Sequence, residues 1–120
     1  MDSKDYLHSL FGLQGRKAVV TGASSGLGAA LARVLVSAGA DVLIVARRQE
    51  HLAALADDLR DCEGTAHPHS ADLSDSAAIA ALADQARDRL GGCDILVANA
   101  GTADRVRLED MAEEDFSAIV

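Results

Sequence analysis

The sequence predicts an α/β protein: a doubly wound sheet of parallel strands with helices on both faces. Three observations carry that expectation. Short apolar runs alternate with stretches of helical period, the connections between them are short, and a glycine-rich turn joins the first run to the first helical stretch. Strands that alternate with helices need crossover connections, and right-handed crossovers give a parallel sheet covered on both sides.

Ala18-Val19-Val20-Thr21 follows Arg16-Lys17, is closed by Gly22, and reads as a buried strand. From Gly26 the period changes. Leu27, Leu31, Val34, Leu35 and Ala38 recur on one helical face, and Gly39 stands where that helix ends. Asp41 leads into Val42-Leu43-Ile44-Val45-Ala46, a continuous run of the kind found in strands buried on both faces. Leu52, Leu55, Ala56 and Leu59 mark a second helix. A third strand is expected at residues 65–70; it contains Pro68, which belongs on a sheet edge. Ser74 is the expected cap of a third helix, with Asp75 in its first turn and a face of Ile79, Leu82, Ala83, Ala86 and Leu90. Gly91-Gly92 ends it, and Asp94-Ile95-Leu96-Val97-Ala98 is a fourth strand. A fourth helix is expected to start near Glu113 and to be still running at Val120. Residues 1–120 thus read as one continuous unit, without repeats or linkers. The pattern is truncated after the fourth strand and the start of the following helix.

Composition supports a globular chain. Of 120 residues, 49% are hydrophobic and 25% charged, although much of the apolar count is alanine. The net charge of −8 argues against nucleic acid, whose phosphates need a basic face. Residues 1–5 carry no basic stretch followed by an apolar one, and the longest aliphatic run is far too short to span a bilayer. Cys62 and Cys93 stand far apart without a C-x-x-C and read as free thiols. The expected setting is cytoplasmic, with no membrane partner.

The turn Thr21-Gly22-Ala23-Ser24-Ser25-Gly26-Leu27-Gly28 is where chemistry is expected. Glycines let a backbone turn tightly and approach a ligand closely. The helix that follows opens with unpaired N–H groups and a positive dipole end, which suits a pyrophosphate. The spacing is G-x-x-x-G-x-G, not G-x-G-x-x-G, and no Gly-Lys-Ser/Thr follows as in a P-loop.

That turn, Asp72-Leu73 after the third strand and Asn99-Ala100-Gly101 after the fourth together resemble the classical short-chain dehydrogenase/reductase family in both order and spacing. The resemblance covers nearly the whole chain from Leu10 onward. The lead-in Leu10-Phe11-Gly12-Leu13-Gln14-Gly15-Arg16 is similar to that of the gluconate 5-dehydrogenase and 3-oxoacyl-carrier-protein reductase-like branches. The resemblance implies a Rossmann-type sheet and a nicotinamide cofactor. It places Gly22, Ser24, Ser25, Gly26 and Leu27 along the adenosine ribose, pyrophosphate and nicotinamide, Asp72 and Leu73 beside the adenine, and Asn99, Ala100 and Gly101 beside the cofactor ribose. Ala98 departs from the many members that carry a second Asn there. Read without the resemblance, Asp72 is a turn residue and Asn99 an Asx-turn.

The end of the second strand, Val45-Ala46-Arg47-Arg48, bears on cofactor choice. An acidic side chain there accepts from the ribose 2′-OH of NAD, whereas an Arg pairs with the 2′-phosphate of NADP. Ala46 stands where NAD-preferring members resemble one another in carrying Asp. Arg47 follows where NADP-preferring members often carry Arg, and Arg48 can share its load, so NADP(H) is expected over NAD(H). The alternative is a solvated pair at a helix start, where the dipole disfavours cations.

His67 and His69 fall on one face of the third strand, too few for a metal site, and are expected at an exposed edge; no metal is expected. Glu113-Glu114 and Asp57-Asp58 read as solvated helix charges. The resemblance implies a small-molecule carbonyl or alcohol substrate, a homo-oligomer, and catalysis by a Tyr-x-x-x-Lys pair, a Ser and an Asn. The only tyrosine is Tyr6, and the only lysines are Lys4 and Lys17, so these 120 residues hold no such pair. No catalytic residue is expected within them; the Asn is expected just past Val120 and the Ser, Tyr and Lys further on. The expected function is hydride transfer between NADP(H) and a carbonyl or alcohol, with these residues holding the cofactor. The rival is a nucleotide-binding module or decayed fragment without catalysis. The expected strand order 3-2-1-4 leaves the fourth strand at an edge, where an apolar strand invites self-association.

Overall fold

A computed structural model describes Ser3, residues 12–24 and residues 26–99. Its elements are β1 (Lys17–Thr21), α1 (Gly26–Ser37), β2 (Asp41–Ala46), α2 (Gln49–Asp58), β3 (Thr65–Ser70), α3 (Ser76–Gln85) and β4 (Ile95–Val97), with α3 continuing as a π-helical turn, Ala86–Leu90. The helix expected near Glu113 lies outside the described residues.

All strand pairs are parallel and the sheet order is β3-β2-β1-β4, as expected for a doubly wound fold. The side-chain period of two divides the core into two layers. Ala18, Val20, Val42 and Ile44 meet Ala32 and Val36 of α1 and Leu52 and Leu55 of α2 on one face. Val19, Leu43 and Val45 meet Leu82 of α3 and Ala86 and Leu90 of the π turn on the other. Val19, Val20 and β2 from Val42 to Val45 are wholly buried, which is why those segments read as unbroken apolar runs. Each such aliphatic side chain contributes about 1.5–3 kcal/mol by leaving water.

The expected face of α1 needs correction. Leu27 and Val34 are 63% and 64% exposed, and the buried positions are Gly28, Ala32 and Val36. The helix turns its small residues to the sheet because it lies so close to it. The cap of α3 also shifts. Asp75, not Ser74, is the N-cap: its side chain accepts from the Ala77 amide at 2.9 Å, while Ser74 donates to Asp72. The expected face of α3 holds throughout, from Ile79 to Leu90, and Gly91 ends it in the left-handed conformation. The start of β4 is tied to β1 by reciprocal bonds: the Lys17 amide donates to Asp94 Oδ2 at 3.0 Å and the Asp94 amide to the Lys17 carbonyl at 2.7 Å. No helix among the described residues is long and apolar enough to cross a membrane, and Cys62 and Cys93 are free.

Pro68 lies on the edge strand β3, opposite Ile44, as its missing N–H requires. His67 and His69 are half-buried there rather than exposed, and Arg89 reaches across to donate to the Pro68 carbonyl at 2.8 Å. Among the described residues no cluster of three or more His, Cys, Asp or Glu side chains is placed to hold a metal. Burial, then the Arg89 charge, lowers both imidazole pKa values below 6.5; Asp41 opposes this at His67. The stability from these neutral rings is complete above pH 6.5 and is lost as pH falls through the lower folded values, because the unfolded chain takes up protons first. Replacing both with Gln should flatten the fall of the denaturation midpoint between pH 7.5 and 5. An unchanged slope would show that other groups carry it.

Candidate functional site

Parallel strands end on the same edge of a sheet, and that edge collects the residues singled out by sequence. Gly22 and Ser24 lie in the turn after β1, and Gly26 and Leu27 open α1. Arg47 and Arg48 follow β2, Asp72 and Leu73 follow β3, and Asn99 follows β4. Ser25, Ala100 and Gly101 lie outside the described residues. The chain leaves β1 for the α1–α2 face and, after β3, crosses to the face of α3. The carboxyl ends of β1 and β4 therefore flank the point where the winding reverses, the usual place for a ligand crevice in open α/β sheets.

The β1–α1 turn folds back over β2, since the Ala23 amide donates to the Val45 carbonyl at 3.0 Å. Two of its glycines are needed for different reasons. Gly28 is buried against the turn, and a Cβ there would stand 2.0 Å from the Gly22 carbonyl oxygen and 2.9 Å from Asn99 Nδ2. Gly26 has a left-handed backbone (φ 61°), and a Cβ there would meet nothing within 4 Å. Gly28 thus permits contact within the protein, whereas Gly26 borders open space at the start of a helix. The first-turn N–H groups of α1 have no intrahelical acceptors, and no acidic residue stands in that turn. This arrangement fits an anionic group.

Thr21 closes the crevice from below. Its hydroxyl donates to the Val97 carbonyl at 3.4 Å and accepts from the Asn99 amide at 3.0 Å, so one buried side chain fixes the end of β4 against β1. On the far side of β1, Arg47 and Arg48 are exposed, and Arg48 serves as N-cap of α2 without a side-chain cap bond. No side chain among the described residues holds the Arg47 guanidinium in a hydrogen bond or ion pair. Asp72 accepts from the Ser74 hydroxyl at 2.7 Å and the Ser74 amide at 3.0 Å. The Ser74 hydroxyl, then its amide, holds the Asp72 pKa below the ordinary aspartate value, and the nearby Arg47 charge acts in the same direction. Burial pushes the Cys93 thiol up, and its Sγ bonds the Ile95 carbonyl at 3.1 Å; it is a protonated structural thiol.

The sequence alone gives Thr21 no task and offers Ser74 as a cap, whereas Thr21 bonds across the crevice and Ser74 bonds Asp72. A Thr at the last position of a strand followed by Gly was the available signal for the first. Two acids flanking Ser74 left the second ambiguous.

The sequence profile of the short chain dehydrogenases matches residues 16–120. An uncharacterized oxidoreductase of Mycobacterium tuberculosis is 47% identical over 100 residues, 81% of this chain and 29% of that protein. A metagenomic short-chain oxidoreductase solved in complex with NADP is 44% identical and superposes with a TM-score of 0.72 over 89% of this chain and 49% of that one. The L-sorbose reductase of Gluconobacter frateurii, solved with NADPH and L-sorbose, is 32% identical with a TM-score of 0.73, over 90% of this chain and 41% of that one. The chain therefore spans less than half the length of these relatives.

The contact at Gly28 gives a direct test of the turn. Gly28→Ala should destabilise the protein by about 1–3 kcal/mol or more, since the new methyl group meets backbone that cannot yield. A chemical denaturation midpoint unchanged from the native protein would contradict this packing.

Proposed function

The chain belongs to the short-chain dehydrogenase/reductase family, and on that footing we propose that residues 1–120 form the NADP(H)-binding part of a single Rossmann-type domain, in an oxidoreductase acting on a carbonyl or alcohol. The observation that carries the proposal is the open backbone at Gly26, at the start of a helix with no acidic residue in its first turn. The cofactor supplies the nicotinamide that gives or takes the hydride. The chain's own residues bind and orient it. Gly22, Ser24, Ser25, Gly26 and Leu27 receive the pyrophosphate and its flanking groups, with open backbone at Gly26 and the unpaired first-turn N–H groups of α1 as donors. Asp72 and Leu73 border the adenine, and Asn99, Ala100 and Gly101 border the ribose. Thr21 holds the β1 and β4 sides of the crevice together.

Arg47, with Arg48 beside it, supplies the selectivity for NADP(H). A guanidinium offers donors to a 2′-phosphate and no acceptor to a 2′-hydroxyl, and Ala46 offers no acceptor either. NADP and NADPH accompany the two similar solved proteins, which supports the assignment by analogy. A cytoplasmic setting and a homo-oligomer complete the proposal. The first accords with the free thiols and the second rests on family resemblance.

These residues include no Tyr-x-x-x-Lys, the acid–base pair that the family resemblance implies. The 120 residues alone should therefore bind the cofactor yet show no NADPH-dependent carbonyl reduction. Turnover would show that acid–base groups outside the expected pair suffice.

Calorimetric binding of NADPH and NADH tests the site. A hydrogen bond to a charged group contributes roughly 1.5–3 kcal/mol, or about ten- to a hundredfold in affinity. Arg47→Ala should therefore weaken NADPH by about that factor and leave NADH nearly unchanged. Gly26→Asn should retain the fold, because Asn accepts the left-handed conformation, yet lose both cofactors. Equal losses on Arg47→Ala would make that residue structural, and unchanged binding by a folded Gly26→Asn would refute the phosphate assignment.

A further inference from the structure

The connection from β2 to α2 is only Arg47 and Arg48, and little holds it. Arg48 is extended (φ −92°, ψ 105°) and offers α2 no side-chain cap. Among the described residues one side-chain hydrogen bond reaches this connection: the Ser70 hydroxyl donates to the Arg47 carbonyl at 2.8 Å. Ser70 is the last residue of β3 and lies in register with Ala46, the last residue of β2. The ladder continues one step beyond, where the Ala71 amide donates to the Ala46 carbonyl at 2.9 Å. Ser70 is thus fixed at both sides by paired backbone, while the carbonyl it holds belongs to an unpaired turn.

We propose that Ser70 is a positioning residue for cofactor selectivity: its hydroxyl anchors the Arg47 carbonyl and so sets the direction in which the Arg47 side chain leaves the sheet edge. The inference rests on the assignment of Arg47 to a 2′-phosphate. A carbonyl held in place fixes ψ of Arg47 and with it the orientation of the following peptide. Without that bond the turn samples other orientations, and only a fraction of molecules presents the guanidinium in the binding direction. Apparent affinity falls by that fraction. A ligand that makes no use of Arg47 loses nothing. Ser70 therefore acts through Arg47, on selectivity and not on nicotinamide binding as such.

The test is calorimetric binding of NADPH and NADH to the full chain and to Ser70→Ala, Ser70→Thr, Arg47→Ala and the double variant, with folding checked by circular dichroism. Ser70→Ala should weaken NADPH by about three- to tenfold, the worth of a typical hydrogen bond, and shift NADH by less than about twofold. Ser70→Thr keeps the hydroxyl and should restore NADPH affinity. In the Arg47→Ala background the Ser70 substitution should have no further effect on NADPH, since the group it positions is gone. Equal weakening of both cofactors, failure of Ser70→Thr to rescue, or additive losses in the double variant would each overturn the proposal. A native chain that prefers NADPH but is unaffected by Ser70→Ala overturns this inference alone. A native chain without that preference overturns the assignment of Arg47 as well.

Discussion

The carboxyl edge of this sheet depends on how closely the first turn of α1 approaches the end of β1. Gly28 faces the Gly22 carbonyl at a separation that leaves no room for a Cβ, with the Asn99 side chain alongside. Because the helix starts so close to the strand, its unpaired N–H groups lie at the sheet edge and not above it. The same approach decides which side of α1 is buried: Gly28, Ala32 and Val36 fit into the narrow gap, and Leu27 and Val34 are turned out. A larger residue at Gly28 would push the helix away and withdraw those N–H donors from the crevice.

The rest of the site follows from parallel winding around that contact. β2 and β3 lie on one side of β1 and β4 on the other, so residues separate in sequence share one edge. Backbone pairing alone leaves the strand ends free to fray, and single side chains prevent it. Asp94 ties the start of β4 to Lys17, Thr21 ties its end to β1, and Ser70 ties the β2–α2 turn to β3. Each is a short polar side chain at an element boundary, where such groups compete well for backbone partners.

How much of this was legible in the sequence varied with the kind of evidence. β1 and β2 were legible because burial on both faces leaves an unbroken apolar run, and Pro68 marked β3 as an edge because it cannot donate to a ladder. The face of α3 was legible because its buried positions are mostly larger apolar residues in phase. α1 was legible only in part: Leu35 of the expected face packs against the core, but Leu27 and Val34 are exposed and Gly28, Ala32 and Val36 take the buried positions. The π-helical turn left no trace, since Ala86 and Leu90 are spaced as in an α-helix. The cap of α3 was ambiguous because Ser74 and Asp75 can both cap; the Ala77-to-Asp75 bond makes Asp75 the cap, while Ser74 is engaged with Asp72. The motifs follow successive parallel strands, which is why the residues singled out in the sequence share one sheet edge. The bonds of Thr21 and Ser70 join residues far apart in sequence, and no local pattern announces such pairs.

Electrostatics then reconciles the proposed anion site with a strongly acidic chain. A net charge of −8 disfavours a polyphosphate at long range, but physiological salt confines that repulsion to about 8 Å. Affinity is therefore decided by the groups at the edge itself. Arg33 and Arg87 are each paired with an aspartate, Asp58 and Asp84. Arg47 has no such partner among the described residues, although Asp72 is near enough for the two charges to interact. Asp72 directs its Oδ1 to Ser74 instead, which stabilises the carboxylate without engaging the guanidinium. A turn that stabilises Asp72 locally thus leaves the cation of the β2–α2 connection uncommitted. Together with a helix start free of acidic residues, this makes the proposed anion site compatible with a surface whose total charge opposes one.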